Sequence, residues 1–276
     1  MQGLRGKVAV CTGSGRANGL GAGILRRLAA EGCKVVISDL GSPDQFLAAD
    51  DIGTIAEMTA VADELRAAGA EVLVVPCDVR RDEDARKLID TTVAEFGSVD
   101  ILVNNAGVGY MLKPFTEVSL EEWQLVIDVN LTGAFLCSKY AAQHMIKAGN
   151  GGRIVNIASQ AAKSGFPDLS AYVSSKHGMV GFTRAIASEL GKHGVTVNAV
   201  CPNHVTTGLG AKQNEYYASK QGLSVEEFLL AMRGRIPLGR PGMVEDTAGA
   251  VAFLASDDGK YITGEAMNVS GGEETH

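Results

Sequence analysis

Seven short, largely apolar runs recur along the chain, at residues 8–11, 34–39, 72–75, 101–103, 153–158, 195–200 and 266–269. Most lack the strict alternation of a half-exposed strand, so they read as strands buried on both faces. Between them the apolar positions fall three or four residues apart, which predicts helices. One follows Gly21 through Ile24, Leu25 and Leu28. Others run through Val61 and Leu65, over Asp82–Phe96, from Ser119 to about residue 149, over 170–191, and through Ala248 and Phe253. Thr54 with Glu57, and Ser119 with Glu122, have the spacing of capping boxes that open helices. Asn130 and Gly133 interrupt the long helix after Ser119, and two poor helix formers so close together predict a local distortion. Residues 208–235 read as an irregular stretch with one helical piece from Ser224, serving as a substrate-side flap or as a packing or oligomer element.

Strand–helix alternation along the whole length predicts an α/β fold: one doubly wound parallel sheet of about seven strands with helices on both faces. No linker or repeat divides the chain, so 1–276 is expected to form a single domain. Right-handed crossovers then put every strand's carboxyl end on one rim.

Composition narrows the function classes. A net charge of −7 with no basic stripe argues against nucleic acid as a partner. No apolar run reaches the length of a membrane span, and the amino terminus leads into a strand without a signal-like apolar region. Five scattered cysteines without Cys-x-x-Cys spacing read as core residues in a reducing cytoplasm, not as a metal or disulfide framework. The 34 glycines exceed the usual share and predict tight turns and close backbone approaches.

Three stretches carry candidate chemistry. Residues 8–11 run into Thr12-Gly13-Ser14-Gly15-Arg16-Ala17-Asn18-Gly19-Leu20-Gly21 and then a helix, the context in which glycines admit a pyrophosphate to a helix N-terminus. Asp39 ends the second strand eighteen residues after Gly21, near the position expected for an acid that grips a ribose hydroxyl. Tyr172 and Lys176 lie four apart on one predicted helix face, where an ammonium favours the phenolate and fits the tyrosine for acid/base work. Ser159 ends the fifth strand thirteen residues earlier, on the same rim.

Taken in order, Thr12-Gly13 with Gly19-x-Gly21, Asn104-Asn105-Ala106-Gly107, Asn130, Ser159, Tyr172-x-x-x-Lys176 and the loop from Pro202 to Thr207 resemble the short-chain dehydrogenase/reductases over essentially the whole chain. The resemblance implies a Rossmann domain that binds NAD(P), with Tyr172 as catalytic acid/base and Ser159 bonded to the substrate oxygen. It further implies that Lys176 holds the nicotinamide ribose and that Asn130 anchors a water in a proton relay. Gly13, Ser14, Gly15, Asn18, Gly19, Leu20, Gly21, Asp39, Asp78, Val79, Asn105, Ala106, Gly107, Val205 and Thr207 would contact the cofactor, with Tyr172 and Lys176. Two departures stand out. Five residues rather than three separate Gly13 from Gly19, and the usual Pro-Gly after the sixth strand is Pro202-Asn203. Asn203 and His204 thereby join Ser159, Gln160 and Tyr172 as candidate substrate contacts, with Met111, Phe166 and Leu169 as apolar wall.

The expected activity is NAD-dependent interconversion of a secondary alcohol and its ketone, on a polar substrate such as a polyol, sugar or hydroxy acid, without a metal. Arg16 suits the 2′-phosphate of NADP, but Asp39 would oppose that phosphate at close range, which favours NAD. Reduction of 3-oxoacyl thioesters and a nucleotide-sensing or scaffold role are the alternatives. Family analogy implies a homotetramer or homodimer.

Overall fold

The structure, a computed structural model, describes residues 1–109, 112–205 and 207–276; the side chains of residues 208, 209 and 212 fall outside that description, as does Met111 of the expected apolar wall. Strands β1 (Val8–Thr12), β2 (Lys34–Ser38), β3 (Val72–Val74), β4 (Ile101–Asn104), β5 (Gly152–Ile157), β6 (Val195–Pro202) and β7 (Ala266–Val269) form one seven-stranded sheet. Its order is β3-β2-β1-β4-β5-β6-β7, and every pairing is parallel. The chain builds outward from β1 on one side, then restarts with β4 on the other. The crevice above β1 and β4 is therefore the topological switch point, where open sheets of this kind bind ligands.

Each strand is apolar on both faces because helices cover both. Ala9, Cys11, Val35, Ile37 and Val103 face a core filled by α1 (Leu20–Ala30), α2 (Ile55–Ala67) and α9 (Val244–Ala255). Val8, Val10, Val36, Leu102 and Ile154 face the opposite core, filled by α3 (Asp82–Phe96), α5 (Gly133–Ala148) and α6 (Ser170–Leu190). Burial of a side chain such as Ile24, Leu25 or Leu28, all fully buried, stabilises the fold by about 1.5–3 kcal/mol each. Packing at α1 is close enough to require glycine: a Cβ on Gly23 would lie 2.0 Å from Val244 of α9.

The long helix after Ser119 is three pieces. Helix α4 (Leu120–Ile127) passes through a π-turn at Asp128–Thr132 into α5. That is the expected distortion, and it has a steric partner: a Cβ on Gly133 would stand 2.7 Å from Val79. Residues 208–235 correct the sequence reading. They form two helices, α7 (Gly208–Lys220) and α8 (Val225–Arg235), not an irregular stretch with one helical piece. Two glycines in its first turn and a weakly amphipathic pattern concealed α7, which Thr207 caps by accepting from Gly210 N–H. Phe228, Met232, Ile236 and Ala218 give the α7–α8 pair a small core of its own.

Candidate active site

The glycine turn after β1 is shaped from behind. Gly13 has φ +64°, and a Cβ there would lie 2.6 Å from the Ala106 backbone. Thr12 Oγ1 accepts from the N–H groups of Asn105 (3.2 Å) and Ala106 (3.1 Å), and Asn105 Nδ2 donates to the carbonyls of Thr12 (2.9 Å) and Gly13 (2.8 Å). The two loops of the switch point are thus stitched together, and Asn105 serves as the stitch. Ser14 is fully buried: its hydroxyl donates to Cys11 O and accepts from Ser38 N–H. Ser14, Gly15 and Gly21 lie outside the lining of the cavity and set its shape by packing. Gly13, Asn18, Gly19 and Leu20 line it directly. Helix α1 begins at Gly19 with no capping side chain and no acid in its first turn, so its N-terminal N–H groups favour an anion.

Asp39 is held rather than free to swing. Its Oδ2 accepts from Gly15 N–H at 2.9 Å and its Oδ1 from Leu40 N–H at 2.9 Å. A Cβ on Gly53 would come within 2.7 Å of Oδ2, so glycine backbones pin the carboxylate from two sides. Burial raises its pKa, and the bonds from Gly15, Gly53 and Leu40 oppose that rise. Asp78 and Val79 also line the cavity; the Asp78 carboxylate accepts from Arg80 Nε at 2.8 Å, while Arg80 also pairs with Asp44. The motif reading named Asp78 but not its partners Arg80 and Asp44, because Asp44 lies 36 residues before Arg80 in sequence.

Across the rim, β5 delivers Ser159 and α6 delivers Tyr172 and Lys176. Ser159 Oγ accepts from Ala161 N–H at 3.1 Å, leaving its proton for another acceptor. Lys176 is 3 % exposed and donates to Ile157 O at 2.7 Å; its Nζ stands 5.5 Å from the centre of the Tyr172 ring. Burial lowers the lysine pKa from its ordinary value of 10.5 to about 8, so the ammonium persists at neutral pH. A Cβ on Gly107 would lie 3.7 Å from Lys176 Nζ. The end of β4, the end of β5 and the face of α6 therefore meet at one point. Gly109, missed by the motif search, packs against the tyrosine: a Cβ there would fall 2.2 Å from Cδ2 of the Tyr172 ring.

Asn130, fully buried in the π-turn, bonds Val108 twice, accepting from its N–H (2.8 Å) and donating to its carbonyl (2.7 Å). It also donates to Ser175 Oγ at 3.0 Å, and Ser175 Oγ donates to Tyr172 O. The side chain ties the β4 loop to the helix of the tyrosine, one layer behind the cavity. Beneath it, Asn104 bonds Ser138 and Asn156, and Asn156 bonds Thr183, all buried. This polar ladder fixes β4, β5, α5 and α6 against one another.

The combined cavity measures about 610 Å³ and runs from Asp39 and Arg16 past Tyr172 to the α7–α8 pair. Gln160, Phe166, Leu169, Asn203, His204, Val205 and Thr207 line its second half. Asn203 Nδ2 is engaged by Ser270 O (2.8 Å) and Glu273 (3.0 Å), so its amide holds the carboxyl-terminal segment. Burial lowers the pKa of His204. Among the described residues no cluster of His, Cys, Asp and Glu has the geometry of a metal site, and no helix is long and apolar enough to cross a membrane.

Comparison with known proteins gives this arrangement a family. A family model described as enoyl-(acyl carrier protein) reductase matches residues 13–274. A 3-oxoacyl-[acyl-carrier-protein] reductase of Synechocystis is 39 % identical over 273 residues, covering 99 % of this chain and 98 % of its own. The chain belongs to the short-chain dehydrogenase/reductase family. A second relative within it, the 2-dehydro-3-deoxy-D-gluconate 5-dehydrogenase of Escherichia coli, is 37 % identical over 270 residues, 98 % of this chain and 96 % of that one. The solved structure of an NAD+-bound xylitol dehydrogenase superposes with a TM-score of 0.88 at 30 % identity, covering 98 % of this chain and all of that one. This short-chain dehydrogenase/reductase is accordingly an oxidoreductase that acts on CH–OH groups with a nicotinamide cofactor. The uncapped start of α1, the Gly13 turn and the pinned acid at Asp39 fit such a dinucleotide.

Proposed function

We propose that the protein oxidises a secondary alcohol to its ketone with NAD, or runs the reverse reduction, on a polar substrate. One observation carries this: Lys176 Nζ lies beside both the Tyr172 ring and Gly107, in a cavity that runs from Asp39 past them to the α7–α8 pair. A nicotinamide held along this cavity would supply the acceptor for the hydride of the carbinol carbon. Tyr172, as phenolate, takes the hydroxyl proton while the C–O single bond becomes a carbonyl. Ser159 donates a hydrogen bond to that oxygen as charge shifts on it. Lys176 favours the phenolate electrostatically, and Asn130 positions the helix that carries both residues through Ser175.

NAD is favoured because Asp39 is pinned by Gly15 and Leu40 and has no room to turn from a 2′-phosphate. Arg16 lines the same end and is the feature that favours NADP. Asp39→Ala is expected to reduce the ratio of kcat/KM for NAD over NADP by about tenfold or more. A larger kcat/KM with NADP in the unaltered protein would overturn the assignment.

Reduction of acyl-carrier thioesters is the second reading, supported by the name of the Synechocystis relative and by Arg233 and Arg240 in the cavity lining. The names of the xylitol and deoxygluconate dehydrogenases support a polyol or sugar-like substrate. A screen of secondary alcohols with NAD, followed by absorbance of the reduced cofactor and with Tyr172→Phe as the blank, tests the proposal. Turnover of 3-oxoacyl thioesters in preference to every polar alcohol would replace it with the second reading.

A further inference from the structure

The substrate half of the cavity is not symmetric in charge. The acids that line the cavity, Asp39, Asp51 and Asp78, belong to the dinucleotide half or its border. The α7–α8 pair contributes Gln213 and Arg233, and the loops beneath contribute Gln160 and His204. None of these four side chains has a hydrogen-bond or ion-pair partner among the described residues. The neighbouring cations differ: Lys220 pairs with Asp168, Arg235 with Glu273 and Arg240 with Asp246. Arg233 lies with Leu229 on one face of α8, four residues apart, and both line the cavity. An exposed guanidinium without a carboxylate, lining the same cavity as unengaged amides and a half-buried imidazole, leaves donors for an anion and for hydroxyl groups.

We propose that the substrate carries a carboxylate remote from its carbinol carbon, that Arg233 binds it, and that Gln160, His204 and Gln213 meet intervening hydroxyls. The substrate class is then a polyhydroxy acid rather than a neutral polyol. This rests on the alcohol-oxidising function proposed above and narrows it. His204 suits the role because burial keeps its ring neutral, so that it offers one donor and one acceptor.

The test compares matched pairs, xylonate against xylitol and gluconate against glucitol, with NAD, in the unaltered protein, Arg233→Met and Arg233→Lys. An acetoacetyl-coenzyme A arm with NADH accompanies them. The acids are expected to show the larger kcat/KM. Arg233→Met should reduce it by about 10- to 100-fold, as loss of a charge-assisted bond does, and leave the neutral polyols unchanged. Arg233→Lys should restore part of the loss, and added salt should raise KM for the acids alone. Equal or better turnover of the neutral partners, or an Arg233→Met effect shared by acid and polyol, would overturn the carboxylate assignment while leaving alcohol oxidation in place. An effect confined to the thioester would overturn both, as would turnover of no acid and no polyol.

Discussion

Lys176→Met separates what the lysine does for catalysis from what it costs the fold. The ammonium is almost wholly buried, with Ile157 O as its bonded acceptor. Its pKa falls from 10.5 to about 8 through burial. A depressed lysine pKa means that the unfolded chain binds the extra proton between those two values, so the wild-type fold gains stability as pH rises through that window. Linkage over the shift gives a penalty of about 3 kcal/mol at pH 7 that falls to about 1 kcal/mol at pH 10. Methionine carries no charge and has no such dependence, though it leaves the Ile157 carbonyl unpaired at a cost of about 1–3 kcal/mol. The quantity that isolates the lysine is therefore the change with pH. Urea unfolding of both cofactor-free proteins should show wild type gaining about 2–3 kcal/mol on the variant between pH 7 and pH 10. Activity of the variant should be largely lost across the range. A stability difference that stays flat with pH would show that Lys176 is not buried as a charge.

Two other substitutions probe the surroundings of the tyrosine. Gly109→Ala should push the Tyr172 ring aside, because the added carbon would fall 2.2 Å from it; kcat should drop by about a hundredfold with the cofactor Kd unchanged, and an unaltered kcat would contradict the contact. Asp168, whose φ is +63°, accepts from Tyr216 OH at 3.1 Å and pairs with Lys220, which fastens α7 to the turn just before Tyr172. Asp168→Asn tolerates that backbone but lacks the charge, so substrate KM should rise about two- to fivefold while KM for NAD stays put; parallel changes in both would refute the latch.

The strands and the helices that cover them were legible because each run is apolar on both faces, as Val8 and Ala9 show by entering opposite cores. The distortion around Asn130 was legible because Asn and Gly resist a helix, although its form as a π-turn depends on Val79 approaching Gly133. Helix α7 was not legible, since its stability comes from packing with α8 and not from its own periodicity. Among site residues, the motif positions named the segments that meet at the cavity, but not the hydrogen bonds each side chain makes. Ser14 and Asn105 read as ligand contacts; hydrogen bonds engage Ser14 with Cys11 and Ser38 behind the cavity, while Asn105 lines the cavity and also bonds the glycine turn. Arg233 carried no signal at all, for a lone arginine on a helix acquires meaning only when a cavity opens beside it.

The central claim is that a phenol tuned by Lys176 handles the proton of the reacting alcohol. Tyr172→Phe removes that single oxygen and keeps the ring against Gly109. With NAD and a turned-over alcohol, the variant should bind the cofactor with an unchanged Kd, yet lose about 10²- to 10⁴-fold in kcat. An undiminished kcat in Tyr172→Phe would contradict the account.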